Sequence, residues 1–77
     1  MTAEEAKQEI VQEIIRLRQE NGWSQKHLGE LSGVQQPIIA RMETGATTPQ
    51  LSTMIKLLLP FGKTLAVVPA EDTGEKK

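Results

Sequence analysis

The sequence predicts a small all-α domain, a bundle of four helices, that ends in a single β-strand. Apolar residues recur every three to four positions in four separate stretches, which is the spacing of helices with one buried face. A fifth stretch, residues 63–69, is short, rich in branched residues and closed by a proline, as is typical of a strand. The chain of 77 residues contains no cysteine, so neither disulfides nor cysteine-bound zinc can stabilise its small core, and we expect oligomerisation.

The first helix is expected to run for about five turns from the N-terminus. Asn21 and Gly22 tolerate left-handed backbone angles, so they are expected to end it. The apolar residues that recur at helical spacing, and therefore predict its buried face, are Ala3, Ala6, Ile10, Ile14 and Leu17.

Ser24 is expected to cap the second helix, because its hydroxyl can accept a hydrogen bond from an open backbone amide. Trp23 stands directly before this cap and can pack on Leu28, so core packing is the plain interpretation of the tryptophan. Gly29 inside the helix costs about 1 kcal/mol relative to alanine. Its expected purpose is to let the third helix come close.

Gly33 stands where the chain must reverse before a third helix. That helix is expected to start near Gln35, Gln36 and Pro37, since proline suits a first helical turn. Either glutamine can be the N-cap, because the residue before a proline avoids helical angles. Two short amphipathic helices joined by a tight turn over residues 24–45 have the layout of a helix-turn-helix, whose second helix enters a DNA major groove.

A fourth helix is expected to start at residues 47–49 and to stop at Pro60 and Gly62, so the helical domain covers residues 1–62. The polar residues 70–77 are predicted to form a flexible tail. The apolar stripe expected to be buried consists of Leu51, Met54, Ile55, Leu58 and Leu59.

A single strand in a helical domain has no partner for its backbone N–H and C=O groups. We therefore expect residues 63–69 to pair with the same strand of a second copy across a twofold axis, forming a homodimer. The alternative is that these residues lie along the first helix as extended chain. The expected dimerisation residues are Leu58, Leu59, Lys63, Thr64, Leu65, Ala66, Val67 and Val68.

The charge of the chain is unevenly distributed. The net charge is −1, but residues 14–64 carry six basic and three acidic side chains, whereas residues 1–13 carry one basic and four acidic ones. The basic part coincides with the helix-turn-helix, although its charge is modest, so tight DNA binding is expected to need a dimer. The sequence has no signal peptide and no apolar run that could span a membrane, so the expected location is the cytoplasm.

The sequence contains no recognisable catalytic set. It has one histidine, no cysteine, no glycine-rich phosphate loop and no serine-histidine-acid combination, so we expect neither an enzyme nor a cofactor. His27 is expected to be a surface residue, because a metal site needs further ligands that the sequence does not offer.

The chain resembles the phage-repressor or Cro-type helix-turn-helix family, also called the Xre family, which has the lambda-repressor-like fold. Residues 36–69 are also similar to HigA-type antitoxins, and the strand after the helices is similar to HipB-type antitoxins. The chain departs from the family at Gly29, usually alanine, at Gln35, usually serine or threonine, and at Pro37 and Ile38, usually small polar residues. The resemblance covers residues 16–59 and rests on Arg18, Gly22, Trp23, Ser24, Gln25, Leu28, Gly33, Val34, Gln36, Ile39, Arg41, Glu43, Gly45 and Pro49.

The resemblance implies that the third helix reads bases. Gln36 corresponds to a glutamine that reads adenine, and amide geometry fits that base edge. Ile38 would touch a thymine methyl group, and Arg41 would reach guanine or a phosphate. The plain alternative for Gln36 and Arg41 is an ordinary solvated side chain. The full set of expected DNA-binding residues is Gln25, Lys26, Gln36, Pro37, Ile38, Arg41 and Thr44.

Two further roles follow from the resemblance. Gln25, at the start of the second helix, corresponds to a glutamine that contacts phosphate, where the helix N-terminus favours an anion. Arg18 and Glu43 correspond to an ion pair that links the first helix to the end of the third.

The function implied by the resemblance is a sequence-specific repressor that binds double-stranded operator DNA. Similarity to HigA-type antitoxins implies a type II toxin–antitoxin operon, in which the chain neutralises a small basic HigB/RelE-like ribonuclease and represses its own promoter. The alternative is a stand-alone phage-like repressor. The acidic residues Glu4, Glu5, Glu9 and Glu13 would attract a basic toxin, or they are a solvated face that suits a helix N-terminus.

Overall fold

Residues 2–70 are described by a computed structural model of the chain. Four α-helices follow one another in the predicted order, and the fourth runs into a single 3₁₀ turn at Leu59–Phe61. The all-helical bundle is therefore confirmed. The helices are α1 (Ala3–Glu20), α2 (Gln25–Ser32), α3 (Gln36–Thr44) and α4 (Leu51–Leu58).

The predicted C-terminal strand is wrong. Residues 63–70 have no regular secondary structure, and no strand occurs anywhere in residues 2–70. The physical reason is that a strand is defined by a ladder with a neighbour, and a chain of helices offers none. Leu65 packs half-buried against the core, whereas Val67 and Val68 are exposed. The tail expected at residues 70–77 lies, beyond Ala70, outside the described residues.

The core is a single apolar cluster to which every helix contributes. α1 buries Val11, Ile14 and Leu17, so the predicted inner face is confirmed at Ile14 and Leu17. Ala3 is exposed, and Ile10 is only partly buried. The buried residues of the whole cluster are Val11, Ile14, Leu17, Leu28, Val34, Ile39, Met42, Met54, Leu57 and Leu58.

The predicted buried stripe of α4 is only partly right. Leu51 is 61% exposed and Leu59 is 57% exposed, whereas Leu57, which the stripe omitted, is fully buried. The helix begins only at Leu51, after Gln50 as its N-cap, rather than at residues 47–49. Its inner face then runs through Met54, Leu57 and Leu58 at i, i+3 and i+4.

Local hydrogen bonds set the start of α1. The side chain of Thr2 accepts a hydrogen bond from the Glu5 amide, while the Glu5 carboxylate accepts one from the Thr2 amide. This reciprocal capping box fixes the first turn. Within residues 2–70, no helix has the combination of length and apolarity that crossing a bilayer requires.

Candidate nucleic-acid interface

The interface candidate is the pair α2 and α3 with the turn between them. The Ser24 hydroxyl accepts a hydrogen bond from the His27 amide at 3.0 Å, so the predicted cap of α2 is confirmed. Gly33 ends α2 with a φ of +80°, a left-handed conformation that glycine adopts without strain. The chain therefore reverses within the few residues that separate the two helices.

Gly29 allows α3 and the turn to lie close to α2. A Cβ atom at this position would stand 2.8 Å from the Val34 carbonyl oxygen and 3.7 Å from Cδ1 of Ile39. The expected close approach is therefore confirmed, and the nearest atom belongs to the backbone of the turn. Because a backbone carbonyl cannot move aside as a side chain can, the absence of a Cβ at Gly29 sets the distance between the two helices.

One side of α3 is fixed in the core. Ile39 is fully buried and Met42 is 2% exposed, so rotation of α3 about its axis would expose both. The other side faces solvent, and its Ile38 is 39% exposed although it is apolar. The exposed residues of α3 that the sequence marked for DNA contact are Gln36, Pro37, Ile38, Arg41 and Thr44.

The two ends of α3 differ in how they are capped. Gln35 is the N-cap, which decides between the two glutamines, and its side chain makes no capping hydrogen bond. Gln36 and Pro37 occupy the first two helical positions. At the other end, the Thr44 hydroxyl donates to the Arg41 carbonyl oxygen at 3.1 Å. The hydroxyl of Thr44 is therefore partly engaged by its own helix.

Gln25 and Lys26 form the first turn of α2. Lys26 is exposed, and Gln25 is half-buried. The Gln25 side-chain nitrogen donates to Oε1 of Glu43 on α3 at 2.9 Å. The first backbone amides of a helix have no partner inside it, so this turn also offers N–H donors to an anion.

Arg18 and Glu43 join α1 to α3. Arg18 Nε donates to Oε2 of Glu43 at 2.7 Å, and Arg18 Nη2 donates to Oε1 at 2.9 Å. The side chains are only 14% and 10% exposed, so this two-bond contact is largely removed from water. Arg18 Nη1 also donates to the Trp23 carbonyl oxygen at 2.8 Å. The pair therefore fixes the end of α3 relative to both α1 and the entry to α2.

The two aromatic residues of the chain stack on each other. The rings of Trp23 and Phe61 lie 4.8 Å apart at an angle of 20°, and His27 approaches the tryptophan edge-on at 5.3 Å. The sequence predicted core packing for Trp23 but did not predict Phe61 as its stacking partner. The available signal was composition, since Phe61 is the only phenylalanine and follows the end of α4.

The charges on the outer side of α1 are mostly paired within the helix. Arg16 hydrogen-bonds to Glu13 and to Glu20, and Lys7 lies 2.8 Å from Glu4. The hydrogen bond from Arg16 holds the pKa of the Glu13 carboxyl below its ordinary value and raises the pKa of the Arg16 guanidinium. Because these groups are exposed or only partly buried, the pairs contribute little to stability.

Most of the residues expected to dimerise line a groove to which α3 contributes no residue. Leu58 is buried in the core, whereas Leu59, Val67 and Val68 are exposed. Residues 63–68 run beside α1 and form with it an open groove of about 920 Å³. Around this groove the expected dimerisation residues are Leu58, Lys63, Thr64, Leu65, Ala66 and Val68.

The described residues contain no cluster of acidic and histidine side chains that could hold a metal ion. His27 is a surface residue at the start of α2, and its Nδ1 atom lies 3.9 Å from the Glu30 carboxylate. That contact is an ion pair only when the imidazole is protonated.

A helix-turn-helix whose second helix is fixed on one side and exposes polar and basic residues on the other defines a DNA-binding domain. The chain matches the helix-turn-helix family over residues 14–68 and belongs to this Xre-like family.

Two comparisons refine this placement. An uncharacterized HTH-type transcriptional regulator of Haemophilus influenzae is 58% identical to the chain over 60 residues, which are 78% of this chain and 61% of that protein. The chain thus spans less than two thirds of that relative. A solved chain of a toxin–antitoxin module from Streptococcus pneumoniae has 53% sequence identity and a TM-score of 0.73, with 91% of this chain and 83% of that chain covered.

Proposed function

We propose that the protein is a sequence-specific DNA-binding repressor that places α3 in the major groove of its operator. The observation that carries this proposal is the division of α3 into a buried side, with Ile39 and Met42, and an exposed side. A helix held in this way presents its side chains to base edges in one fixed orientation. The similarity to an HTH-type regulator supports the same function.

In the proposed complex, Gln36 pairs with adenine through its amide, Ile38 contacts a thymine methyl group, and Arg41 reaches guanine or a phosphate. Lys26 and the first turn of α2, including Gln25, contact the DNA backbone. All of these residues except Gln25 are exposed in the structure, so no rearrangement is needed before they meet DNA.

The base-reading roles are tested after operator selection from a random duplex library. Gln36→Ala is expected to weaken operator binding by about 1–3 kcal/mol and to relax preference at one base pair. Gln19→Ala makes the same chemical change on the exposed surface of α1 and serves as the control.

Replacing thymine by deoxyuridine at each operator position removes one methyl group at a time and tests the contact proposed for Ile38. If removing a methyl group weakens operator binding by the wild type but not by Ile38→Ala, that thymine is the proposed contact. If the loss of affinity is the same in both proteins at every position, the contact is excluded.

We propose that the repressor is a homodimer that uses Leu59 and the exposed residues of 63–68. Val67 is fully exposed and Val68 is 70% exposed, an unusual amount of apolar surface on so short a segment. The limited positive charge of one copy also favours binding through two. Val67→Asp is expected to weaken the dimer at least about tenfold, since burying one valine contributes about 1.5–3 kcal/mol. Ala46→Asp, in the exposed loop after α3, is the matched control. An unchanged sedimentation profile for Val67→Asp would show that Val67 does not lie in the dimer interface.

We propose further that the protein is the antitoxin of a type II toxin–antitoxin operon, that it neutralises a small basic HigB/RelE-like ribonuclease, and that it represses its own promoter. The support is the similarity to a chain of the Streptococcus pneumoniae toxin–antitoxin module at 53% identity. The alternative of a stand-alone repressor uses the same DNA-binding surface. Co-expression with the product of the neighbouring reading frame separates the two, because only an antitoxin forms a complex and restores growth.

The toxin is proposed to meet the acidic N-terminal part of α1. Glu4 pairs with Lys7, Glu5 serves the capping box and Glu13 bonds to Arg16. Within residues 2–70, Glu9 is therefore the acidic side chain of this part of α1 that has none of these contacts. Glu9→Lys is expected to slow association with the toxin, most at low salt, while operator binding is unchanged. Glu30→Lys makes the same charge change on α2. If Glu9→Lys associates at the wild-type rate at every salt concentration, α1 is not the docking surface.

A further inference from the structure

Glu43 stands where three helices meet. From its place on α3, its carboxylate accepts two hydrogen bonds from Arg18 on α1 and one from Gln25 on α2. The carboxylate oxygen Oε1 is shared, since it accepts from Arg18 Nη2 and from Gln25 Nε2, both at 2.9 Å. The Glu43 side chain is 10% exposed, so little water competes for these positions.

The chemistry of this contact determines how Gln25 is oriented. An ionised carboxylate can only accept hydrogen bonds, so the Gln25 amide must turn its nitrogen toward Glu43. The second N–H of that nitrogen then remains available. Gln25 is itself the first residue of α2, whose first backbone amides a helix cannot satisfy internally. A loose glutamine would instead lose side-chain rotamer freedom each time it made a contact.

We propose that Glu43 is a positioning residue for DNA binding: it holds Gln25 so that its remaining N–H and the N-terminus of α2 meet the same backbone phosphate. The inference rests on the proposed DNA-binding function and extends it. The phosphate contact of α2 and the base-reading side of α3 are then one rigid unit, because Glu43 belongs to α3 and its partner belongs to α2. Arg18 holds the carboxylate in place through two hydrogen bonds.

The test is a double-mutant cycle on DNA affinity. One change is Gln25→Ala. The other is the combined substitution Arg18→Met with Glu43→Leu, which removes the acceptor without leaving a buried charge. Because a phosphate contact does not depend on base sequence, the probe is a mixed-sequence 20-base-pair duplex at low salt, with no knowledge of the operator required. Circular dichroism verifies that each variant is folded.

The expected result is that the combined substitution weakens duplex binding about 3- to 10-fold when Gln25 is present and less than about twofold when it is alanine. Any separate contribution of Arg18 to DNA binding appears equally in both backgrounds and cancels. Equal losses in the two backgrounds would overturn the positioning role while leaving DNA binding intact. A wild-type chain that binds no duplex at all would instead refute the proposed function, and the role of Glu43 with it.

The free protein provides a second readout. In the wild type, one Gln25 side-chain N–H is expected to exchange with solvent more slowly than the side-chain N–H groups of the exposed Gln19. The protection is expected to disappear in the combined variant. Equal exchange of Gln25 and Gln19 in the wild type would show that Glu43 does not hold the amide in solution, and the inference would fail on that result alone.

Discussion

The ion pair of Arg18 and Glu43 makes a strong prediction about stability. The Arg18 side chain is 14% exposed in the wild type, and Glu43→Ala removes two of its three hydrogen bonds. An uncompensated charge at such a position costs about 3–5 kcal/mol. Arg18→Ala leaves the carboxylate of Glu43 with Gln25 as its hydrogen-bond donor, and the expected cost is of the same order.

These costs are large for a chain of this size. At about 0.05–0.15 kcal/mol per residue, 77 residues give roughly 4–12 kcal/mol in total. Either single substitution is therefore expected to remove about half of the stability. The free energy of unfolding of the double variant Arg18→Met with Glu43→Leu should lie within about 1–2 kcal/mol of the wild-type value, because both desolvated charges are absent.

The assay is urea unfolding followed by circular dichroism. The free energies of Arg18→Ala, Glu43→Ala and the double variant that combines these two alanine substitutions are placed in one cycle. The expected coupling free energy is at least about 2 kcal/mol. Arg16→Ala, whose partners Glu13 and Glu20 are exposed, is the control and should cost no more than about 1 kcal/mol. Single variants that cost under 1 kcal/mol with no coupling would refute the view that the pair is desolvated.

Three further predictions follow from local contacts. Gly29→Ala should destabilise the fold by roughly 1 kcal/mol in urea unfolding, since overpacking of about 1–3 kcal/mol against a backbone carbonyl exceeds the helix-propensity gain of about 1; a more stable variant would show that the turn yields freely. Phe61→Leu should shift the fluorescence of Trp23, because the stacked ring is removed, whereas an unchanged spectrum would argue against the stack. In an NMR titration, the pKa of Glu13 should lie below the ordinary value of a glutamate because Arg16 donates a hydrogen bond to its carboxylate. The small stabilising effect of this contact is therefore present above the ordinary pKa and is lost as the pH falls through the lowered pKa. Arg16→Gln should return the pKa of Glu13 to its ordinary value.

The elements that sequence predicted correctly have local causes. The start of α2 depends on a hydroxyl three residues from the amide it caps, and its end depends on a glycine with a left-handed backbone. Helical spacing identified Ile14, Leu17, Met54 and Leu58 as core residues because each helix presents one face to the others. These features are decided within a few neighbouring positions, so they can be recognised before the fold is known.

The features that sequence missed depend on distant partners. Residues 63–69 have the composition of a strand, but a strand also needs a neighbour, which the helical chain does not supply. The inner face of α4 is set by its packing against the other helices, which leaves Leu57 buried and Leu59 exposed. The hydrogen bond between Gln25 and Glu43 joins residues 18 positions apart, so no local sequence pattern predicts it.

Net charge was the least informative property of this sequence, and the structure gives the reason. A net charge of −1 suggests a poor partner for DNA, but Glu43, the acidic residue of α3, is paired with Arg18 and nearly buried. Within residues 2–70, Lys26 and Arg41 form no ion pair, and both are exposed. Cations that are free on the side of α2 and α3 act on a phosphate at short range, whereas the acidic residues of α1 lie on another helix and are screened beyond about 10 Å at 0.1 M salt. Association with DNA therefore depends on which charges are already paired, and a count over the whole chain does not contain that information.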